Sequence, residues 1–301
     1  MTPRVTSDRE WATRPERGSV SIIQVIVWIA RKCGRPLARL LLYPICVYFI
    51  AASPVARAAS RGYLRRVLQR SPGPRELFHH YHTFAAVLLD RVFLLSDRHT
   101  EFDIQVFGDE ILCELAARGE GCLLFGAHLG SFEIIRTIGR RLPGLVVSMA
   151  MYEENARKIS SVLDAINPRL SAGIISLGRS EAMIEVAERL DRGEFVGLLA
   201  DRMLQGEDSV RMPFLGAPAA FPLGPFRVAA SLRRPVVLMM GVYRGGRRYD
   251  VCFEPLADFT TVTREQRSEA MLAAVRRFST RIEQGCRDAP YNWFNFYDFW
   301  H

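Results

Sequence analysis

Lysine is almost missing from this 301-residue chain: of 40 basic residues only Lys32 and Lys158 are lysine, and the net charge is +8. Such an excess of positive charge implies an acidic partner, whether nucleic acid, anionic lipid or a phosphorylated substrate. The chain has no basic helix with interleaved aromatics, no zinc-finger spacing and no RNP-like motif, which excludes nucleic acid. It has no C-x-x-C either. Cys33, Cys46, Cys113, Cys122, Cys252 and Cys286 are scattered, so neither a metal knuckle nor a disulfide framework is indicated. Several lie in apolar runs and read as buried thiols in a reducing, cytosolic environment. Internal repeats and low-complexity segments are also lacking.

What is present suits one sizeable globular domain with a modest extension, since 49% of residues are hydrophobic and 24% charged. Residues 1–20 form a polar leader. Residues 21–70 hold two apolar segments, 21–30 and 40–56, separated by Arg31, Lys32, Arg35 and Arg39. The first meets Arg31 and Lys32 where a cleavage site should stand, which argues against a signal peptide. A buried core helix is one reading of the second segment. A membrane-associating helix is the other, favoured by Tyr43, Tyr48 and the arginines at 57, 61, 65, 66 and 70. We expect attachment at the cytoplasmic face of a membrane.

Ser71-Pro72-Gly73-Pro74 is strong punctuation and places the start of a catalytic domain over residues 71–301. Leu77, Tyr81, Phe84, Leu88, Val92 and Leu95 then recur at helical spacing. His79, His80 and His82 lie on this helix, but Phe84 stands where an H-H-x-x-x-D pattern needs its acid, so they read as helix-surface residues. Farther on, strand-like runs at 122–125, 145–149, 174–177, 195–200, 236–243 and 249–253 alternate with helix-like stretches at 154–166 and 181–190. That alternation predicts an α/β sheet covered on both faces.

Residues 121–133, GCLLFGAHLGSFE, are where chemistry concentrates. An apolar strand run meets Gly126, Ala127 and Gly130, and a helix start follows with Glu133 in its first turn. His128 therefore sits at the carboxyl end of a strand, where open α/β sheets build their sites. A turn can fold the Glu133 carboxylate onto the imidazole, fixing its tautomer and leaving the other nitrogen free as a general base. The plain alternative is a hydrogen-bonded structural histidine, with Glu133 favoured by the helix dipole alone.

HLGSFE resembles the H-x4-D/E motif of the glycerolipid acyltransferase superfamily, in the glutamate form of the bacterial lipid A late acyltransferases. Further blocks agree in order. Asp201 and Arg202 end the strand at 195–200, similar to an Asp that supports the family's site, although Arg202 replaces a common Gln. MPFLGAPAAFPLGPFRVAA resembles the family's F-x-G segment, here ending at Gly216, followed by a helix led by Gly224 with backbone N–H groups suited to an anion or a thioester carbonyl. Arg169 lies near a functional arginine of those enzymes. The tail PYNWFNFYDFW is similar to their Pro-x-x-Trp ending, and could close a sheet edge, line an acyl tunnel or rest at a membrane interface.

The resemblance implies a mixed, mostly parallel central sheet flanked by helices, with an N-terminal membrane-associating segment. It implies an acyltransferase of the bacterial inner membrane, moving a fatty acyl chain from acyl carrier protein or coenzyme A to a lipid or glycolipid hydroxyl or amine. His128 would be the base, Glu133 its partner, and Gly130 and Ser131 donors to the oxyanion. No metal and no cofactor beyond the acyl thioester is called for. A serine esterase needs a G-x-S-x-G elbow, which is absent. A silent membrane adaptor on the same scaffold is the rival from another class.

Overall fold

The computed structural model describes residues 20–95, 98–134, 145–152, 173–178, 181–203 and 206–300. The leader, the helix expected at 154–166 and Arg169 lie outside them. Among the described residues, α1 (Val20–Ala52), α2 (Pro54–Leu68) and α3 (Pro74–Leu95) precede β1 (Asp103–Phe107), α4 (Glu110–Ala117) and β2 (Cys122–Gly126). Then come β3 (Val147–Tyr152), β4 (Ile174–Leu177), α5 (Ala182–Asp191), β5 (Phe195–Leu199), β6 (Ser209–Phe214) and β7 (Ala217–Pro222). The chain closes with α6 (Gly224–Leu232), β8 (Pro235–Gly245), β9 (Arg248–Asp258) and α7 (Arg267–Asp288).

Seven strands form one sheet in the order β1-β9-β8-β2-β5-β3-β4. Every neighbouring pair is parallel except β8 and β9, which run antiparallel. β2 and β5 lie side by side at the centre. All five residues of β2 are buried, the mark of a strand covered on both faces. Two apolar layers result, one holding Phe125, Phe226 and Phe278, the other Leu124, Phe93 and Tyr249.

The N-terminal helices share these layers. α1 bends at Gly34, whose φ is 82°, and buries Ala38, Leu42 and Cys46 along one side. Arg35, 6% exposed, makes two hydrogen bonds to the fully buried Asp90 of α3, at 2.6 and 2.8 Å, and Tyr249 adds a third at 2.9 Å. Burial of a charge is tolerable here because the carboxylate is paired with a cation and each of its oxygens has a donor. The other side of α1 shows Leu37, Leu40, Tyr43, Val47 and Tyr48 to the outside. By length and composition, Lys32–Ala52 is one segment apolar enough to cross a membrane. The expected second apolar run does not continue to residue 56 as one helix, because α1 ends at Ala52 and Pro54 opens α2.

One sequence expectation is corrected here. His80 is not on the helix surface but fully buried, bonded to Ser60 Oγ at 2.6 Å and to the Trp293 carbonyl at 2.8 Å. On α5 the buried face is Ala182, Val186 and Leu190, whereas Met183 is exposed.

Candidate active site

The site follows from strand register. β2 and β5 pair in parallel with Gly126 opposite Leu199, and Ala200 N–H donates to the Gly126 carbonyl at 2.9 Å. His128 and Asp201 each stand two residues beyond those partners. Equal offsets past adjacent parallel strands bring the two side chains together at the carboxyl end of the sheet. The His128 backbone N–H donates to Asp201 Oδ2 at 3.1 Å, and ring Nδ1 meets Oδ1 at 2.8 Å. The carboxylate is fully buried, while the imidazole keeps 24% of its surface. None of the described residues hydrogen-bonds Nε2.

The position on the ring expected for Glu133 is thus filled by Asp201. Glu133 opens the following helix, is 1% exposed, and its Oε1 lies 3.3 Å from Arg91 Nη2 of α3. It borders the site through Arg91, whose charge also acts on His128.

Gly130 and Ser131 are structural in this arrangement. The Gly130 N–H donates to the Asn292 carbonyl at 2.8 Å, and the Ser131 N–H to the Gly241 carbonyl at 2.6 Å. Both amides are therefore spent, which corrects their assignment as oxyanion donors. Gly130 has φ +73°, and a Cβ there would stand 2.0 Å from Gly241 O, so only glycine fits this corner.

The chain after α7 holds the site from outside. Leu129 and Trp293 form an antiparallel bridge, and Phe294 N–H donates to His128 O at 2.7 Å. The Asn292 side chain exchanges two hydrogen bonds with the Tyr243 backbone. Asn295 Nδ2 reaches Asp201 Oδ2 at 2.9 Å, and its Oδ1 accepts from Arg202 Nε at 2.7 Å. Arg202 also donates to Phe294 O at 3.0 Å. Sequence reasoning missed both asparagines. The available signal was two amide side chains, three apart, in a segment otherwise aromatic, since buried polar groups need partners.

Electrostatics keep the imidazole neutral. Burial lowers the pKa of His128, Arg202 lowers it further, and Arg91 adds to this against the opposing pull of Asp201. Burial alone would raise Asp201, but His128, Arg202 and the Asn295 hydrogen bond outweigh it and hold the carboxyl at about 2. At neutral pH the pair is an uncharged imidazole on an ionised carboxylate.

Gly216 and Gly224 serve other purposes. Leu215 and Gly216, with φ of 48° and 82°, form the two-residue turn between β6 and β7. The Leu215 N–H is held by Glu283 at 2.7 Å. The Gly224 N–H at the start of α6 donates to Glu207 at 3.1 Å, so that helix end already carries a carboxylate. Among the described residues, no group of three His, Cys, Asp or Glu gathers in a metal-binding arrangement.

Residues 15–301 match the family model described as bacterial lipid A biosynthesis acyltransferase. A search of curated proteins returned no match. With a strand-end histidine at its centre and a match across nearly its whole length, the chain belongs to the bacterial lipid A biosynthesis acyltransferase family.

Proposed function

We propose that this protein moves a fatty acyl chain from the thioester of an acyl carrier protein or coenzyme A to a hydroxyl or amine of a lipid or glycolipid acceptor, with His128 as general base. The observation that carries this reading is the His128 ring: Nδ1 is bound to Asp201 at 2.8 Å, and Nε2 remains unengaged by the described residues. A neutral imidazole oriented by a carboxylate is the arrangement that takes a proton from an attacking oxygen. The acceptor oxygen attacks the thioester carbonyl as its proton passes to Nε2. Collapse of the tetrahedral intermediate releases the thiolate, which recovers that proton from the imidazolium.

Charge growing on the carbonyl oxygen needs a donor other than the Gly130 and Ser131 amides. Arg91 is the nearest fit: it is partly exposed and its charge is felt at His128. Glu133 holds Arg91 in place. A basic surface suits both an acidic carrier protein and a phosphorylated acceptor.

For attachment to the cytoplasmic face of the inner membrane, we favour α1 lying in the interface over α1 spanning it. Its Arg35 side is tied to Asp90, and its opposite side presents Leu40, Tyr43, Val47 and Tyr48. Acyl transfer from radiolabelled acyl carrier protein and acyl-coenzyme A into a bacterial lipid extract tests the activity, with membranes of wild type and His128→Ala. A labelled lipid made by wild type and lost in the variant supports general-base transfer. Equal behaviour of the two preparations makes His128 structural and favours the silent adaptor.

A further inference from the structure

Asn295 is 1% exposed and its amide meets partners on both sides. Arg202 Nε can only donate, so the atom facing it at 2.7 Å is Oδ1. That fixes the amide, and Nδ2 must be the atom 2.9 Å from Asp201 Oδ2. An NH₂ group only donates, as does the His128 backbone N–H on the same oxygen at 3.1 Å. Asp201 therefore has donors on Oδ2 from two directions, leaving its other oxygen, Oδ1, to accept from His128 Nδ1. Hydrogen-bond direction runs from Arg202 through Asn295 to Asp201 and meets the ring there. The lone pair is left on Nε2.

We propose that Asn295 is a positioning residue: it keeps Asp201 in its ionised, acceptor-only form, thereby selecting the His128 tautomer whose Nε2 is the base, and Arg202 sets the sense of the Asn295 amide. The consequence for rate rests on the proposed acyl transfer. The tautomer does not. The part of the tail that carries Asn295 also carries the Trp293 bridge and the Phe294 bond to His128, so docking of the C-terminus and alignment of the base are one event. Asn295 lies 167 positions beyond His128 and 94 beyond Asp201, so the tail is coupled to the strand-end corner through the fold alone.

The charged and titratable groups facing this cluster are Asp201 and Arg202 after β5, Arg91 from α3, Tyr297 from the tail and Cys286 from α7. Asn295→Asp keeps the shape and exchanges the donor for a carboxylate. It adds negative charge beside the pair and competes for Arg202, so the His128 pKa rises by about 1 or more. The base is then protonated over a wider range, and the acid limb of kcat/KM moves to higher pH by the same amount. Arg202→Gln removes the cation, raises the His128 pKa in the same direction and serves where Asn295→Asp does not fold. In both, kcat falls more than KM changes.

The test is ¹⁵N-histidine NMR of the full chain in detergent, titrated across pH for wild type, Asn295→Asp and Arg202→Gln, with the other histidines as internal references. Wild type is expected to show His128 as the Nδ1–H tautomer, and the variants a raised pKa with loss of that single tautomer. An unchanged His128 pKa and tautomer in the folded variants overturns the inference. If the spectra shift as stated while wild type transfers no acyl group, the positioning role stands and the proposed function falls.

Discussion

His80 and His128 are tied to neighbouring residues of the same C-terminal segment, and they are wired in opposite senses. The Trp293 carbonyl accepts from His80 Nε2, so that ring carries its proton on Nε2 and takes the Ser60 hydroxyl on Nδ1. His128 gives its Nδ1 proton to Asp201 and has its lone pair on Nε2. Burial lowers both pKa values, that of His80 to about 4. A neutral histidine with both nitrogens occupied is a strut, and one with a single nitrogen held by a carboxylate is a base in waiting. Burial alone does not separate the two.

Substitution at the two sites should break in different observables. His128→Ala is expected to lower acyl transfer by roughly 10²- to 10⁴-fold and to cost about 1–2 kcal/mol of stability, because Asp201 Oδ1 loses its ring donor. His80→Ala is expected to leave turnover within about tenfold at low temperature and to destabilise by about 2–4 kcal/mol, because it opens a cavity and strands the Trp293 carbonyl. Initial rates beside thermal melts of each variant check both. Gly130→Ala tests the corner that carries His128. Its Cβ would meet Gly241 O at 2.0 Å, so a loss of about 3 kcal/mol or more is expected in denaturant melts, with activity lost alongside.

The pH dependence divides in the same way. Unfolded His80 has a pKa near 6.5 and the folded value is about 4, so the unfolded chain binds the extra proton first as pH falls. Stability is full above 6.5 and is lost by about 3 kcal/mol as pH drops toward 4. Denaturant midpoints across that range check it, and Ser60→Ala should cost a further 1 kcal/mol or so. His128 is also depressed, so kcat/KM is expected to be flat at neutral pH and to fall only below the ordinary histidine range.

Much of the central sheet was legible, since β2, β5 and β8 are runs of apolar residues longer than any loop tolerates. The β6–β7 hairpin was not, because Pro213, Pro218 and Pro222 read as breaks, and only a two-stranded outlying ribbon accepts them. β1 is a short edge strand with alternate residues exposed, too weak a pattern to stand out. His128 was visible at its corner. Its partner was read as Glu133, five residues on, because sequence spacing speaks for near neighbours. Asp201 lies 73 residues away and reaches the ring through register, which no local pattern encodes. The commitment of the Gly130 and Ser131 amides was hidden for the same reason: their acceptors lie on β8 and in the tail.

The Asp201 carboxylate is what holds the His128 ring, and Asp201→Asn removes its charge without changing its shape. The amide keeps the shape but can present an NH₂ to His128 Nδ1, turning the ring's proton to Nε2 where the base must be. Acyl transfer by the folded variant is predicted to fall by roughly 10²- to 10⁴-fold with KM little changed. Full activity in Asp201→Asn would contradict the account, and would return the role of holding His128 to another group such as Glu133.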